Sequence, residues 1–190
     1  MSEPAQREAT YEDLFNIPEN ATGEILDGRL HVTPRPSRRH GRTTTVLAVK
    51  IVPPYDFGEG GGPGGWMFLI EPEIGFGKDL LVPDLAGWKR ERFPFGEEQN
   101  WISVAPDWVC EVLSPSTGRK DKGLKMPVYA RHGVGHIWLI DPLARTLDVY
   151  RLENGLWLLL QSNGEDDKVR AEPFGEVDIP LTHLWLDSQG

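Results

Sequence analysis

Asp84 and Glu111 stand 27 positions apart, each inside a short apolar run. The first run is Leu80-Leu81-Val82-Pro83-Asp84-Leu85-Ala86-Gly87-Trp88 and the second is Trp108-Val109-Cys110-Glu111-Val112-Leu113. A basic stretch follows, Arg119-Lys120-Asp121-Lys122-Gly123-Leu124-Lys125. A carboxylate in an apolar strand is costly to bury unless it is paired, hydrogen-bonded or bound to a metal. Two such strands followed by a lysine-bearing segment point to a divalent-metal site. Alternate residues of a strand share a face, so Asp84 groups with Val82 and Ala86, and Glu111 with Val109 and Leu113. If the strands are neighbours, the carboxylates meet at their ends. Hard cations such as Mg²⁺ take carboxylate, carbonyl, water and phosphate oxygens, and the carbonyl of Val112 is a natural third protein ligand. The metal acidifies a bound water and neutralises charge on a scissile phosphate. A nearby lysine orients or deprotonates that water and stabilises the developing charge. Taken alone, the spacing leaves plainer roles open: a strand-end cap for Asp84 and a solvated helix lysine for Lys125.

Several elements must position these residues. Tyr11–Phe15 reads as a short helix with Thr10 as its N-cap, and Glu24–Val32 as a hairpin turning at Asp27-Gly28. Ser37 caps a helix expected to run to about Ile51, although Thr43, Thr44 and Thr45 disfavour it. The six glycines and one proline of residues 55–65 make a loop that lacks the Gly-Lys-Ser/Thr ending of a phosphate loop. Strands are expected at Trp66–Ile70, over Leu80–Trp88 and at Trp108–Leu113. A helix covers part of Asp121–Arg131, kinked or started late by Pro127. A strand at His136–Ile140 and a hairpin of Thr146–Leu152 with Leu156–Gln161 follow, and Leu181–Leu186 makes a last helical turn. This order predicts one mixed α/β domain over residues 1–190, its first ten or so residues flexible. Ser114–Thr117 reads as a loop and helix cap.

The 190 residues, 39% apolar and 26% charged, are those of an ordinary globular chain. No run approaches the length of a membrane span. The polar N-terminus lacks a signal-peptide apolar region, and Cys110 is the one cysteine; a cytoplasmic location is expected. The net charge of −9 argues against a basic nucleic-acid-coating surface. The charge is uneven, however: Arg35-Pro36-Ser37-Arg38-Arg39-His40-Gly41-Arg42 holds four arginines and no acid, and phosphate binding needs only a local basic groove.

Ordered motifs along the chain carry a resemblance. Gly23-Glu24-Ile25-Leu26-Asp27-Gly28 with His40 after it, Val82-Pro83-Asp84, and Pro106-Asp107-Trp108-Val109-Cys110-Glu111-Val112-Leu113-Ser114-Pro115 form its first half. Asp121-x-x-x-Lys125-x-x-x-Tyr129 and Ile137-Trp138-Leu139-Ile140-Asp141-Pro142 form its second. Together they resemble the Uma-type family of restriction-endonuclease-like nucleases in the PD-(D/E)XK superfamily, from about Tyr11 to Leu152. The resemblance implies a mixed β-sheet flanked by helices, with additional hairpins, and Mg²⁺-dependent hydrolysis of DNA with Mn²⁺ able to substitute. It implies that Asp84 and Glu111, with Val112, hold the metal. Glu24 resembles an accessory acid. The superfamily lysine, two residues after the second acid, is replaced here by Leu113; Lys125 matches it from the following helix, where Asp121 shares its face, with Lys122 as rival. Arg38, Arg39, His40, Arg42 and Arg119 are the candidate phosphate contacts, and a homodimer suits duplex cleavage. Two other readings stand beside this one: a non-catalytic nucleic-acid or protein interaction module on the same fold, and a metal-dependent hydrolase of smaller phosphoesters.

Overall fold

The computed structural model describes residues 7–115 and 118–186, the side chain of Arg119 excepted. Asp27 and Gly28, at φ 50° and 71°, close the tight turn between β1 (Ala21–Leu26) and β2 (Arg29–Pro34). Ser37 caps α1 (Arg38–Tyr55), its hydroxyl accepting the His40 amide at 3.3 Å. The threonines do not break this helix, because Thr43 and Thr44 are buried and donate to the carbonyls of Leu184 and His40. Nor does it stop at Ile51; it runs on through Pro53 and Pro54 to Tyr55.

Next come β3 (Trp66–Ile70), β4 (Ile74–Phe76), β5 (Asp79–Leu81) and β6 (Leu85–Lys89). The single strand expected over Leu80–Trp88 is therefore two strands, and they belong to different sheets. Pro83 has no amide to offer a ladder. The amide and carbonyl of Val82 are instead taken by the side chains of Glu24 and Lys125. The four-stranded antiparallel sheet has the order β2-β1-β5-β4.

The central sheet is completed by β7 (Trp108–Val112), β8 (His136–Asp141), β9 (Thr146–Glu153) and β10 (Leu156–Gly164). Its order is β10-β9-β8-β7-β6-β3; β7 and β8 are parallel and the other neighbours antiparallel. Parallel neighbours need a crossover. Here it is helical over 118–131: α2 (Gly118–Lys120), a π turn (Asp121–Lys125) and α3 (Met126–Arg131). The late start expected from Pro127 is seen: α3 begins at Met126 with Pro127 in its first turn, where a missing amide is tolerated. The hairpin of β11 (Lys168–Ala171) and β12 (Phe174–Pro180) was not anticipated. Charged Lys168 and Arg170 alternate there with buried Val169 and Ala171, too short a pattern to stand out. The last helical turn is Leu181–His183.

Period-2 alternation along β7 decides what each face of the sheet receives. Trp108, Cys110 and Val112 enter a core with α1, Trp66, Phe68, Trp138 and Phe174. Val109 enters a second core with Trp88, Val128, Tyr129 and Leu139, under the crossover helix and the smaller sheet. Glu111 shares the face of Val109, so its carboxylate is carried toward the crossover helix. Of the first ten positions, expected to be flexible, residues 1–6 lie outside the described residues; Ala9 donates to the Gly28 carbonyl at 2.8 Å. Ser116 and Thr117 of the expected loop and cap also lie outside them. Among the described residues no helix is long and apolar enough to cross a membrane.

Candidate active site

β6 and β7 pair antiparallel with Leu85 against Cys110. One step along that register Asp84, just before β6, comes opposite Glu111. Asp84 Oδ1 lies 2.9 Å from Nε2 of His40, and Oδ2 accepts the amide of Val112 at 2.6 Å. Val112, expected to offer its carbonyl, thus engages Asp84 through its N–H. Both residues line an open cleft of about 230 Å³ that also takes in Glu24, Glu111, Asp121 and Lys125.

Lys125 is the hub. Its ammonium lies 2.6 Å from Glu111 Oε1 and 2.8 Å from Glu24 Oε1, and donates to the Val82 carbonyl at 3.2 Å. Lysine, glutamates and Asp121 are each less than 5% exposed. Glu24 Oε1 also accepts the Val82 amide at 2.9 Å, and its Oε2 takes Lys120 at 2.5 Å. Tyr129 donates its hydroxyl to Glu111 Oε1 at 2.6 Å. The π turn explains how Lys120 and Lys125 reach one glutamate. In a regular α-helix residues five apart point about 140° away from each other. Here Met126 donates to the carbonyl of Asp121, five residues back, and the widened turn brings both ammoniums to Glu24.

Four carboxylates therefore surround two lysines. Burial pushes the Glu111 carboxyl well above the usual range, and the charges of Asp121, Asp84 and Glu24 add to that push against the pull of Lys125. Glu24 goes the other way, to about 2: burial opposes its ionisation, but Lys125 and Lys120 together outweigh burial. Burial would also lower the pKa of Lys125, yet Glu111, Glu24 and Asp121 raise it, so the ammonium stays charged. For His40, burial favours the neutral ring, and the hydrogen bond and charge of Asp84, with Glu71 and Asp121, raise its pKa overall.

The remaining sequence candidates are spread more widely. Lys122 is exposed and lines a separate depression beside Leu143, outside the cleft. Arg39 and Arg42 donate to the carbonyls of Leu186 and His183, both at 3.2 Å, and Arg38 is exposed in the first turn of α1. None of the three lines the cleft; Arg35 does. The side chain of Arg119 lies outside the described residues. Sequence reasoning gave no role to Lys120, Tyr129, Arg35 or Glu71. An α-helical spacing hides Lys120, five residues before Lys125. Glu71 lines the cleft with its backbone at φ 48°, and its amide donates to the Asp84 carbonyl at 3.2 Å; nothing in the local sequence marks it.

The donor set bears on which metal would fit. Among the described residues, no three His, Cys, Asp or Glu side chains are grouped so as to hold an ion. A closed zinc site needs such a cage. Mg²⁺ binds through one or two carboxylates while keeping waters and substrate phosphate. Asp84 and Glu111, two carboxylates at the wall of an open cleft, fit the second kind.

Fold and cleft together define a restriction-endonuclease-like protein. The chain belongs to the Uma2 family, described as "Putative restriction endonuclease", whose pattern matches residues 9–182. It is similar to the crystal structure of a "putative nuclease belonging to DUF820" from Anabaena variabilis, with 25% identity and a TM-score of 0.74 over 93% of this chain and 97% of that one. A "Putative F-box/kelch-repeat protein" of Arabidopsis thaliana is 24% identical over 119 residues, 58% of this chain. The match spans 31% of that protein's length.

Proposed function

We propose that this protein is a Mg²⁺-dependent endonuclease that hydrolyses DNA phosphodiester bonds, with Mn²⁺ as an alternative ion. The observation that carries this reading is the convergence of Asp84, Glu111 and the buried Lys125 on one cleft, from three separate elements. Asp84 and Glu111 hold the ion, with Val112 beside them. When bound, the ion supplies charge neutralisation at the phosphate and a more acidic water. Lys125 is a permanent cation. It ties Glu24 to Glu111, positions or activates the attacking water and stabilises charge developing on the phosphate. His40 and the Val112 amide hold Asp84 from opposite oxygens. Arg35, at the cleft, contacts the scissile strand, while Arg38, Arg39, Arg42 and Arg119 serve flanking phosphates. Two protomers supply the two sites that cutting both strands of a duplex requires.

The test is nicking of supercoiled plasmid and cleavage of single-stranded DNA with Mg²⁺ or Mn²⁺. Wild type should cut, and Asp84→Ala, Glu111→Ala and chelator should each reduce cutting to background. Equal cutting by wild type and variants would mean a contaminant. One observation favours a second reading, a non-catalytic interaction module: Lys120 and Lys125 pair directly with Glu24 and Glu111, a structural use for both acids. A melting temperature that Mg²⁺ does not move, in wild type and in Asp84→Ala alike, would support that module instead.

A further inference from the structure

We propose that Tyr129 is a positioning residue that commits one oxygen of Glu111 to the protein and leaves the other for the metal; this rests on the metal-site reading above. The Tyr129 hydroxyl and the Lys125 ammonium both lie 2.6 Å from the same oxygen of Glu111, Oε1. A carboxylate oxygen has about two lone-pair sites, so two strong donors use the capacity of Oε1. Glu111 then serves as a one-oxygen ligand through Oε2. Asp84 is held differently, with one donor on each oxygen, so each keeps spare capacity.

The helix makes the clamp rigid. Lys125 and Tyr129 are four residues apart, on one helical face, and close on a single atom of the facing strand. The tyrosine ring is fully buried among Val109, Val128 and Leu139, so its hydroxyl has no alternative position in water. The plainer role is that Glu111 merely satisfies a buried hydroxyl. That role predicts a loss of stability on removing the hydroxyl and no change in metal affinity.

A remote hydrogen bond of the same chemistry provides the control. Tyr55, also buried, packs in the other core and donates to the exposed Glu176 at 2.6 Å. Mn²⁺ alone is titrated by calorimetry into full-length wild type, Tyr129→Phe and Tyr55→Phe, with the melting temperature of each recorded. Removing a group that orients a ligand typically costs about 10- to 100-fold in metal affinity, and Tyr129→Phe should fall in that range. Tyr55→Phe should lose comparable stability and bind Mn²⁺ as wild type does. Mn²⁺ affinity in Tyr129→Phe within about twofold of wild type, against the 10-fold or more expected, overturns the inference alone. Wild type that takes up no Mn²⁺ overturns the metal-site reading, and the inference with it.

Discussion

At one end of the crossover helix Lys120 and Lys125 face Glu24 and Glu111; at the other end Arg131 faces Asp79. Glu24 and Asp79 are buried acids on adjacent strands of the same small sheet, yet their surroundings differ. Asp79 accepts the Asp27 amide at 2.6 Å on one oxygen and Arg131 at 2.9 Å on the other. Arg131 is half in water and also reaches Asp27 at 3.1 Å. That acid is matched by one amide and one guanidinium, and it pins a hairpin turn to a helix end. In the cleft, Glu24, Glu111 and Asp121 crowd around Lys125, and the Glu111 carboxyl is pushed upward, first by burial and then by the neighbouring acids. A buried acid whose own neighbours balance it is explained by the fold. The acids of the cleft instead share buried cations beside open solvent, the setting in which the proposed divalent cation would be held.

The largest expected effect that tests this contrast is in the cleft. Lys125→Met leaves Glu24 and Glu111 without the cation between them, and breaking a buried pair costs about 3–5 kcal/mol. For a domain of this size that is a fall in Tm of roughly 10 °C, read by calorimetry. A fall no greater than that of Asp79→Ala would mean the lysine does not hold the cleft together.

Next come two substitutions with opposite signs. Asp79→Ala strands the Asp27 amide and Arg131, for a loss of about 1–3 kcal/mol in denaturant unfolding with Mn²⁺ binding intact. Glu111→Gln should leave the metal-free protein as stable as wild type, or more so, while abolishing Mn²⁺ binding. The sign follows from its raised pKa: the stability Glu111 contributes is full below the ordinary carboxylate range and is lost as pH rises through the folded value. Near neutral pH the ionised form is the costly one, and glutamine imitates the protonated form. If Glu111→Gln proved less stable than Asp79→Ala, the distinction between the two clusters would collapse.

The smallest effect is in acid. Glu24 has its pKa depressed from 4.5 to about 2, so its stabilising pairing is present above 4.5 and lost as pH falls toward 2. Glu111 acts in the opposite direction over that range, which makes the net slope shallow. The Tm advantage of wild type over Glu24→Gln should shrink from about pH 5 to about pH 3. An advantage that grows with acidity would show that Lys120 and Lys125 do not set the state of Glu24.

Much of the scaffold was legible because it rests on local chemistry. The Asp27-Gly28 turn, the Ser37 cap and the alternation of β7 follow from residues within a few positions of one another. Over Leu80–Trp88 the local signal was Pro83, but the partners that complete the break came from outside the segment: Glu24 and Lys125 are 58 and 43 positions away from the Val82 groups they capture. Asp84, Glu111 and Lys125 were legible as candidates because each sits in a motif. Lys120 was not, because only a π turn turns it to the same side as Lys125, and helix periodicity argues against the pairing. Arg38, Arg39 and Arg42 cluster in sequence, but the bonds of Arg39 and Arg42 to the carbonyls of Leu186 and His183 cross more than 140 positions and no local pattern encodes them.

The sequence by itself determined that two acids stand in apolar strands, that a lysine follows on a helix and that the family motifs occur in order, because these are matters of residue type and short-range spacing. Only the tertiary structure decided that Asp84 stands opposite Glu111, that Lys125 bridges Glu111 to Glu24, and that Tyr129 shares an oxygen with it. Strand register, the parallel crossover and the widened helical turn set those contacts, and each depends on parts of the chain brought together only when the sheet closes.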